Sequence, residues 1–362
     1  MNTPKRPVKI TVAIAAAAAW IFLLVMLFVQ TEENRALKQL NAELRKEASQ
    51  REELAMEDKG RGVNANGFLK VQEGRLVNQA GWPLQLKGMS SHGLIWYPQY
   101  INFKAMLDLK ARGANLFRAA MYADSQHEGY NENDITRRTN KALLYLAVEN
   151  ALAADLYAIV DWHVLKDENP LLTVDSAIEF FDEVSRRYAE EPGVIYEICN
   201  EPNGAVTWRD VHQYARQVIP VIRRNAPRSV IVVGTPSFSA DVLSVLEAPL
   251  DFPGIMYSYH QYTGTGQTYY REILETMRRE GLGIFVTEWG IDLDEKTGLP
   301  ALEEAREFLA YLKEQKISWA NWSLSNKDEP YSAIKPEVWK LSNWQDEDLT
   351  PSGRLVFEAL AE

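Results

Sequence analysis

Residues 194–204 read VIYEICNEPNG, a short apolar run that leads directly into Asn200 and Glu201. Residues 284–290, IFVTEWG, repeat this arrangement, with an apolar run that leads into Glu288. Strands that are apolar at nearly every position are typical of parallel sheets whose two faces are covered by helices. Both stretches therefore indicate an α/β protein in which polar side chains follow the ends of parallel strands.

Six further apolar runs flank these two, and amphipathic helical stretches separate most of them. One helix is predicted over Ser176–Ala189, where Ile178, Phe181, Val184 and Tyr188 recur at helical spacing. Eight strand–helix repeats predict a (β/α)8 TIM barrel, preceded by a small hairpin of residues 68–71 and 75–78. An open doubly wound sheet is the alternative, but the sequence lacks its Gly-rich phosphate turn. The predicted strands are Leu84–Met89, Asn115–Ala119, Tyr157–Trp162, Val194–Cys199, Val230–Gly234, Ile255–Tyr259, Ile284–Thr287 and Trp319–Leu324.

The N-terminal segment, residues 1–30, is predicted to be a transmembrane anchor. Residues 10–29 carry no charge, and at about 1.5 Å per residue such a run spans roughly the 30 Å core of a bilayer. Basic residues precede the run and acidic residues follow it, which predicts that the remainder of the chain is exported. A cleaved signal peptide is the alternative, but the run is longer than a signal core and ends without a small-x-small site.

Residues 31–67 are predicted to form a helical stalk and a hinge. Residues 31–59 are charged, lack Pro and Gly, and place Leu37, Leu40 and Leu44 on one helical stripe. A coiled coil that dimerises the chain is the alternative, but about two heptads carry the stripe, so we expect weak self-association through the stalk at most. Residues 60–67 are rich in Gly and Asn and are predicted as a hinge into the folded domain, residues 68–362.

Composition excludes several classes of protein. The net charge of −11 argues against a nucleic-acid partner, which requires a basic surface. The single cysteine, Cys199, excludes an intramolecular disulfide and a cysteine-based metal site. The sequence lacks His-x-His and His-Glu-x-x-His pairs, so neither a metal nor a cofactor is expected.

The residues at the carboxyl ends of the predicted strands are polar, titratable or aromatic, and in a TIM barrel these ends surround the active site. Glu201 and Glu288 follow the fourth and seventh strands, which lie on opposing sides of an eight-stranded ring. Facing carboxylates are what cleavage of a glycosidic bond requires, one as proton donor and one as nucleophile. Arg118 is a candidate to keep one of them ionised. Capping of neighbouring helices is the alternative role for these two acids.

Seven stretches of the sequence resemble glycoside hydrolase family 5, in particular its bacterial endo-β-1,4-glucanase (cellulase) branch. They extend over nearly the whole domain from about Phe68 to the C-terminus, in the order that the family requires. The stretches are LKGMSSHGLIWYP (86–98), GANLFRAAMY (113–122), VDWH (160–163), VIYEICNEPNG (194–204), MYSYHQYTGT (256–265), IFVTEWG (284–290) and ISWANWSLSNK (317–327).

The resemblance implies a role for each residue at the barrel mouth. Glu201 would be the acid/base and Glu288 the nucleophile, Asn200 would bind the sugar 2-hydroxyl, Tyr262 would contact the nucleophile, and Arg118 would help to hold it ionised. The residues that would line the catalytic subsite or bind sugars beyond it are His163, His260 and Trp322, then His92, Trp96, Tyr122, Lys327 and Glu329.

Some positions depart from the family pattern. Cys199 stands where a small residue often precedes the Asn-Glu pair, and it is expected to be a buried structural side chain. Glu197 shares the alternation of its strand with Cys199 and is a candidate interior residue of the barrel. The stretch Asp124–Asn133 replaces a loop that usually contains Gly, and Ile291-Asp292 is also atypical.

The resemblance implies a retaining endo-β-1,4-glucanase that acts on a β-glucan polysaccharide or oligosaccharide. Separately from the resemblance, the uncharged N-terminal run and its flanking charges predict that this enzyme is anchored in a bacterial cell membrane, with the catalytic domain on the outer side. Its two carboxyl groups should lie about 5–5.5 Å apart, against roughly 6.5–9.5 Å in an inverting enzyme. The same chemistry on mannan, mixed-linkage β-glucan or xyloglucan stays open. A non-catalytic, membrane-tethered carbohydrate-binding protein is the alternative from another class, although both glutamates and their expected partners are present.

Overall fold

The computed structural model describes residues 60–265 and 269–362. The predicted anchor (1–30) and the predicted stalk (31–59) lie outside the described residues. Within the described part of the chain, we find no helix with the length and apolar character needed to cross a bilayer.

Eight parallel strands close into a barrel, which confirms the predicted TIM barrel. The strands are β3 (Lys87–Ser91), β4 (Leu116–Tyr122), β5 (Tyr157–His163), β6 (Val194–Glu197), β7 (Ile231–Val233), β8 (Ile255–Thr263), β9 (Ile284–Ile291) and β10 (Trp319–Leu324). Each strand pairs with its sequence neighbour, and β10 closes the ring against β3.

The predicted hairpin is present as β1 (Lys70–Gln72) and β2 (Arg75–Val77), which pair antiparallel. Helices begin where local caps favour them. Asn133 and Thr136 form a reciprocal capping box at the start of the helix Asp134–Ala153, and Thr207 with Asp210 forms another at the start of Trp208–Asn225. The helices are α1 (Val63–Asn66), α2 (Phe103–Ala111), α3 (Asp134–Ala153), α4 (Val174–Arg187), α5 (Trp208–Asn225), α6 (Pro236–Ser239), α7 (Tyr270–Arg279), α8 (Leu302–Gln315) and α9 (Pro351–Ala361).

The barrel interior changes from apolar to charged along the strand direction. On β4, Leu116 belongs to an apolar cluster in the barrel, whereas Arg118, two residues on, is fully buried among carboxylates. On β6, Ile195 likewise belongs to the apolar cluster, whereas Glu197, two residues on, is a fully buried acid. Because alternate residues of a strand share a face, β4 and β6 each contribute one apolar and one charged side chain to successive layers of the barrel interior. The polar layer lies at the carboxyl end, where the predicted site residues are.

Several strand boundaries differ from the prediction, and one difference bears on the site. Strand β9 was expected to end at Thr287 but continues to Ile291, so Glu288 lies within the strand. Opposite β8, Ser258 pairs with Phe285 and His260 pairs with Glu288, which leaves one extra residue on β9. Such a β-bulge breaks the alternation of side chains. Thr287 and Glu288 therefore both contact groups inside the barrel.

Residues 60–67, predicted as a hinge, contact the folded domain. The backbone N–H of Asn64 donates to Asp155 Oδ1 at 2.8 Å, and Val63 is buried in the apolar cluster of the barrel. A Cβ on Gly62 would meet the Asp155 side chain at 1.8 Å, so the glycine allows this close approach. The segment is an ordered part of the fold on the side of the barrel away from the site.

Candidate active site

The two predicted catalytic carboxylates face each other at the carboxyl end of the barrel. Glu201 follows β6, Glu288 lies in β9, and His260 of β8 lies with them. One ligand atom from each of the three residues lies within 4.8 Å of the other two. This is a group that could hold a metal ion, but both carboxylates already have hydrogen-bond partners in the protein. One oxygen of Glu201 and one of Glu288 therefore lie no more than 4.8 Å apart, a close approach that is expected of a retaining pair.

Arg118 occupies the centre of the charged layer and is fully buried. Its guanidinium lies 2.7 Å from Glu197 Oε2, 2.9 Å from Glu288 Oε2 and 3.0 Å from Asp161 Oδ2. Burial opposes the charge of Arg118, but these three carboxylates together raise its pKa. One cation facing three acids leaves net negative charge in the barrel, and this charge favours the protonated form of the neighbouring Glu201.

Glu288 is held by two donors. Arg118 Nη1 donates to its Oε2 at 2.9 Å, and Tyr262 Oη donates to its Oε1 at 2.8 Å. Burial and the nearby Glu201 raise the pKa of Glu288, while His260 and Arg118 lower it. Because both of its oxygens accept hydrogen bonds, Glu288 is the member of the pair that the geometry stabilises as a carboxylate.

Glu201 has a different environment. Burial, followed by the charges of Asp161 and Glu197, raises the pKa of Glu201 to about 8, against the opposing effect of Arg118. Its Oε1 lies 2.8 Å from Nδ1 of His260, and burial lowers the pKa of His260 to about 4. At neutral pH Glu201 therefore keeps its proton beside a neutral imidazole. The two carboxyl groups thus have the different environments that acid and nucleophile need.

Asn200 links the charged layer to the opposite wall of the site. Its Oδ1 accepts from Arg118 Nη2 at 2.6 Å, which directs Nδ2 toward His163 Nε2 at 3.3 Å. His163 Nδ1 lies 2.6 Å from Asp161 Oδ2. A carboxylate at Nδ1 and an amide donor at Nε2 fix a neutral His163 with its proton on Nδ1. Burial keeps the pKa of His163 well below its usual value.

Aromatic rings form the other wall. The His163 ring stacks on Trp322 with centroids 5.3 Å apart and planes 19° apart. The ring centroid of Tyr122 lies 4.2 Å from that of His163 and 4.5 Å from that of Trp96. The ring centroid of His92 lies 5.0 Å from that of Trp322. Flat rings with polar edges beside a carboxylate pair suit a sugar, which has apolar faces and a hydroxyl rim.

Lys327 and Glu329 lie at the end of this wall. Lys327 Nζ lies 2.6 Å from Glu329 Oε2 and 3.2 Å from Nε2 of His92. Burial and the Lys327 charge lower the pKa of His92 to about 3, so its imidazole is neutral. The structure thus brings all thirteen predicted site residues to one end of the barrel; their roles remain predictions.

Three residues of the site were not among the predicted ones. Asp161 orients His163 and pairs with Arg118, and its position two residues before His163 on one strand was a usable signal. Thr287 contacts both His260 and Glu197, but the β-bulge that turns it inward has no sequence signature. Glu128, in the atypical Asp124–Asn133 loop, accepts from Trp96 Nε1 at 2.9 Å.

The other departures have structural explanations. Cys199 is fully buried, and burial raises the pKa of its thiol, which is the environment of an unreactive side chain. Glu197 is an interior residue of the barrel, as its strand position indicated. Asp292 continues the pairing of β9, because its backbone N–H donates to the carbonyl of Thr263.

The model of the cellulase family (glycosyl hydrolase family 5) matches residues 77–328. An endoglucanase of Clostridium saccharobutylicum is 39% identical over 296 residues, 81% of this chain and 65% of the relative. Endoglucanase A of Evansella cellulosilytica is 42% identical over 285 residues, 78% of this chain and 57% of the relative. The chain thus spans less than two thirds of the length of either relative.

Solved structures agree with these relatives. Cellulase Cel5C_n superimposes with a TM-score of 0.79 at 37% identity, covering 84% of this chain and 95% of that one. The catalytic domain of Thermobifida fusca endoglucanase Cel5A in complex with cellotetraose gives a TM-score of 0.77 at 32% identity, covering 83% and 99%. On the family match and these identities, the chain belongs to the cellulase family, glycosyl hydrolase family 5.

Proposed function

We propose that this chain is a retaining endo-β-1,4-glucanase that hydrolyses internal bonds of a β-glucan by double displacement. The approach of Glu201 and Glu288, with oxygens within 4.8 Å, carries the proposal. Family membership supports the reaction, and the relative solved with cellotetraose supports a β-glucan substrate.

In the first step, an oxygen of Glu288 attacks the anomeric carbon as the bond to the leaving oxygen breaks. Glu201 gives its proton to that oxygen, and a glycosyl ester forms on Glu288. In the second step, Glu201 takes a proton from water, the water oxygen attacks the anomeric carbon, and the ester bond breaks. Two inversions at the same carbon retain its configuration.

The surrounding residues have distinct roles in this proposal. Arg118 and Tyr262 keep Glu288 ionised until it attacks. Asn200, fixed by Arg118 and beside His163, presents its amide to the sugar 2-hydroxyl. Trp322 stacks against the sugar at the cleavage point. The residues proposed to bind sugars beyond that point are His92, Trp96, Tyr122, Lys327 and Glu329.

Glu288→Gln tests the reaction. The variant keeps the size of the side chain and one acceptor oxygen but replaces the nucleophilic carboxylate with an amide, so we expect a folded protein whose turnover of soluble β-glucan falls by at least about a thousandfold. Exposed Glu272→Gln is the control. Proton NMR of fresh products should show the β-anomer before mutarotation. Persistent activity of Glu288→Gln would refute the assignment of Glu288 as the nucleophile. The α-anomer as the first product would refute the retaining mechanism. A wild type without activity would favour a non-catalytic carbohydrate-binding protein.

A polysaccharide panel tests the substrate. Mannan, mixed-linkage β-glucan and xyloglucan share the equatorial bond that the carboxylate pair cleaves, so the pair alone does not discriminate among them. We expect higher kcat/KM on carboxymethyl and hydroxyethyl cellulose than on mannan or xyloglucan. A reversed order would assign the same chemistry to mannan or to the branched β-glucan xyloglucan.

We also propose that residues 1–30 anchor the enzyme in a bacterial inner membrane, with residues 31–59 as a stalk and the barrel on the outer side. The uncharged run of residues 10–29 and the basic residues before it support this proposal. The full chain should remain in the membrane fraction after alkaline carbonate extraction, and a chain that begins at residue 60 should not. Recovery of the full chain in the soluble fraction would contradict the anchor.

A further inference from the structure

A line of four hydrogen-bonding groups extends from the proposed acid/base into the barrel. Glu201 Oε1 lies 2.8 Å from His260 Nδ1, and His260 Nε2 lies 3.1 Å from Thr287 Oγ1. Thr287 Oγ1 lies 2.6 Å from Glu197 Oε1. The side chains of His260, Thr287 and Glu197 are all buried, so bulk water does not compete for these hydrogen bonds.

The direction of each hydrogen bond follows from the inner end of the line. Burial raises the pKa of Glu197, but Arg118, whose Nε donates to Glu197 Oε2 at 2.7 Å, opposes this effect and stabilises the carboxylate. An ionised carboxylate only accepts, and a threonine hydroxyl has a single proton to give. Thr287 therefore donates that proton to Glu197 Oε1.

With its proton committed, the Thr287 oxygen can only accept from its other neighbours. Those neighbours are the hydroxyl of Ser258 and Nε2 of His260. His260 is neutral at pH 7, because burial lowers its pKa to about 4, so it carries one ring proton. That proton lies on Nε2, and Nδ1 presents a lone pair to Glu201.

We propose that Glu197 and Thr287 are positioning residues that fix the Nε2–H tautomer of His260, so that Nδ1 accepts a hydrogen bond from the protonated carboxyl of Glu201. A lone pair facing Glu201 favours its acid form, whereas an Nδ1–H would donate to the carboxylate and favour ionisation. The inference rests on the proposed function, in which Glu201 must hold a proton until the leaving oxygen takes it.

Other charged groups also act on Glu201 and His260, but they do not select the tautomer. Arg118 contacts Asp161, Glu197 and Glu288, and its charge lowers the pKa of Glu201. These groups remain in place when only the Thr287 hydroxyl is removed. The titratable groups that face the pair are Tyr122 and Arg118 on β4, Asp161 and His163 on β5, Glu197 on β6, Tyr262 on β8 and Glu288 on β9.

The pH profile of kcat/KM tests the inference in the full chain. Thr287→Val should move the basic limb on hydroxyethyl cellulose about one pH unit lower and reduce kcat/KM at pH 8 about fivefold. Thr287→Ser keeps the hydroxyl and should restore the wild-type profile. Thr263→Val is the matched control, because that buried hydroxyl donates to the Ala301 carbonyl outside the line. An unshifted basic limb in Thr287→Val would overturn the inference.

A substrate that needs no acid isolates the step. Hydrolysis of 2,4-dinitrophenyl β-cellobioside releases a phenolate that leaves without a proton, so Thr287→Val should lose less than about threefold in kcat/KM on it. An equal loss on both substrates would indicate a general structural defect and contradict the inference.

Histidine NMR gives a readout that does not depend on activity. In protein labelled with 15N-histidine, the His260 signals, assigned by their loss in His260→Gln, should show the Nε2–H tautomer in the wild type and Nδ1–H in Thr287→Val. Glu197→Gln, whose amide can donate to Thr287, should show the same reversal if Thr287→Val does not fold. A wild-type Nδ1–H would overturn the inference, whereas a wild type that fails to hydrolyse β-glucan would instead overturn the proposed function.

Discussion

At the scale of single residues, burial raises the pKa of Glu201, which suits an acid catalyst. The same burial lowers the stability of the fold at high pH, where Glu201 must ionise. Its pKa in the folded chain is about 8, against an ordinary value of 4.5. A raised folded-state pKa means that the folded chain binds this proton more tightly than the unfolded chain. The stability from this group is therefore fully present below about pH 4.5 and is lost as the pH rises through 8.

Glu201→Gln makes this cost measurable, because glutamine resembles the protonated acid at every pH. We expect its free energy of unfolding to exceed that of the wild type by about 4 kcal/mol more at pH 9 than at pH 5, as a pKa of about 8 in place of 4.5 requires. Urea unfolding at the two pH values measures the difference, with the exposed Glu272→Gln as control. An equal difference at both pH values would show that Glu201 is not held protonated by its surroundings.

At the scale of elements, the approach of β3 to β4 depends on Gly88. Gly88 pairs with Leu116, and a Cβ at Gly88 would lie 1.8 Å from the Leu116 carbonyl oxygen. Gly88→Ala must therefore separate two strands of the closed ring, and we expect it to cost about 3 kcal/mol or more in urea unfolding.

Gly281→Ala is the matched comparison for Gly88→Ala. Gly281 has a φ of +72° and open space around its Cβ position, so alanine there meets only the left-handed backbone penalty, about 1 kcal/mol. If Gly281→Ala cost as much as Gly88→Ala, close contact between β3 and β4 would not be the reason for the glycine.

The elements also show what the sequence can and cannot predict. All eight barrel strands and the hairpin could be placed, because covered parallel strands are apolar throughout and polar residues mark their ends. The ends themselves were less predictable: β8 and β9 continue through the polar site residues, because backbone pairing does not require apolar side chains. The β-bulge that turns both Thr287 and Glu288 inward depends on register with β8, which the sequence of β9 alone does not contain.

At the scale of the whole molecule, the barrel topology determines which distant residues meet. Four charged residues that are far apart in the chain lie on strands of one ring, so they meet because the barrel closes: Arg118, Asp161, Glu197 and Glu288. That these residues share one rim could be predicted from the strand order. Their pairing within that rim could not, because it depends on side-chain directions in a layer where three acids compete for one guanidinium.

The net charge of the chain gives a last prediction. At −11, the protein should repel an anionic polymer, and this repulsion weakens as the Debye length falls from about 30 Å at 0.01 M salt to about 10 Å at 0.1 M. We therefore expect kcat/KM on carboxymethyl cellulose to rise about twofold over this range. Neutral hydroxyethyl cellulose is the matched substrate, and its kcat/KM should stay constant. A parallel rise on both polymers would indicate a salt effect on the enzyme itself, and a flat response on both would mean that the cleft does not experience the overall charge.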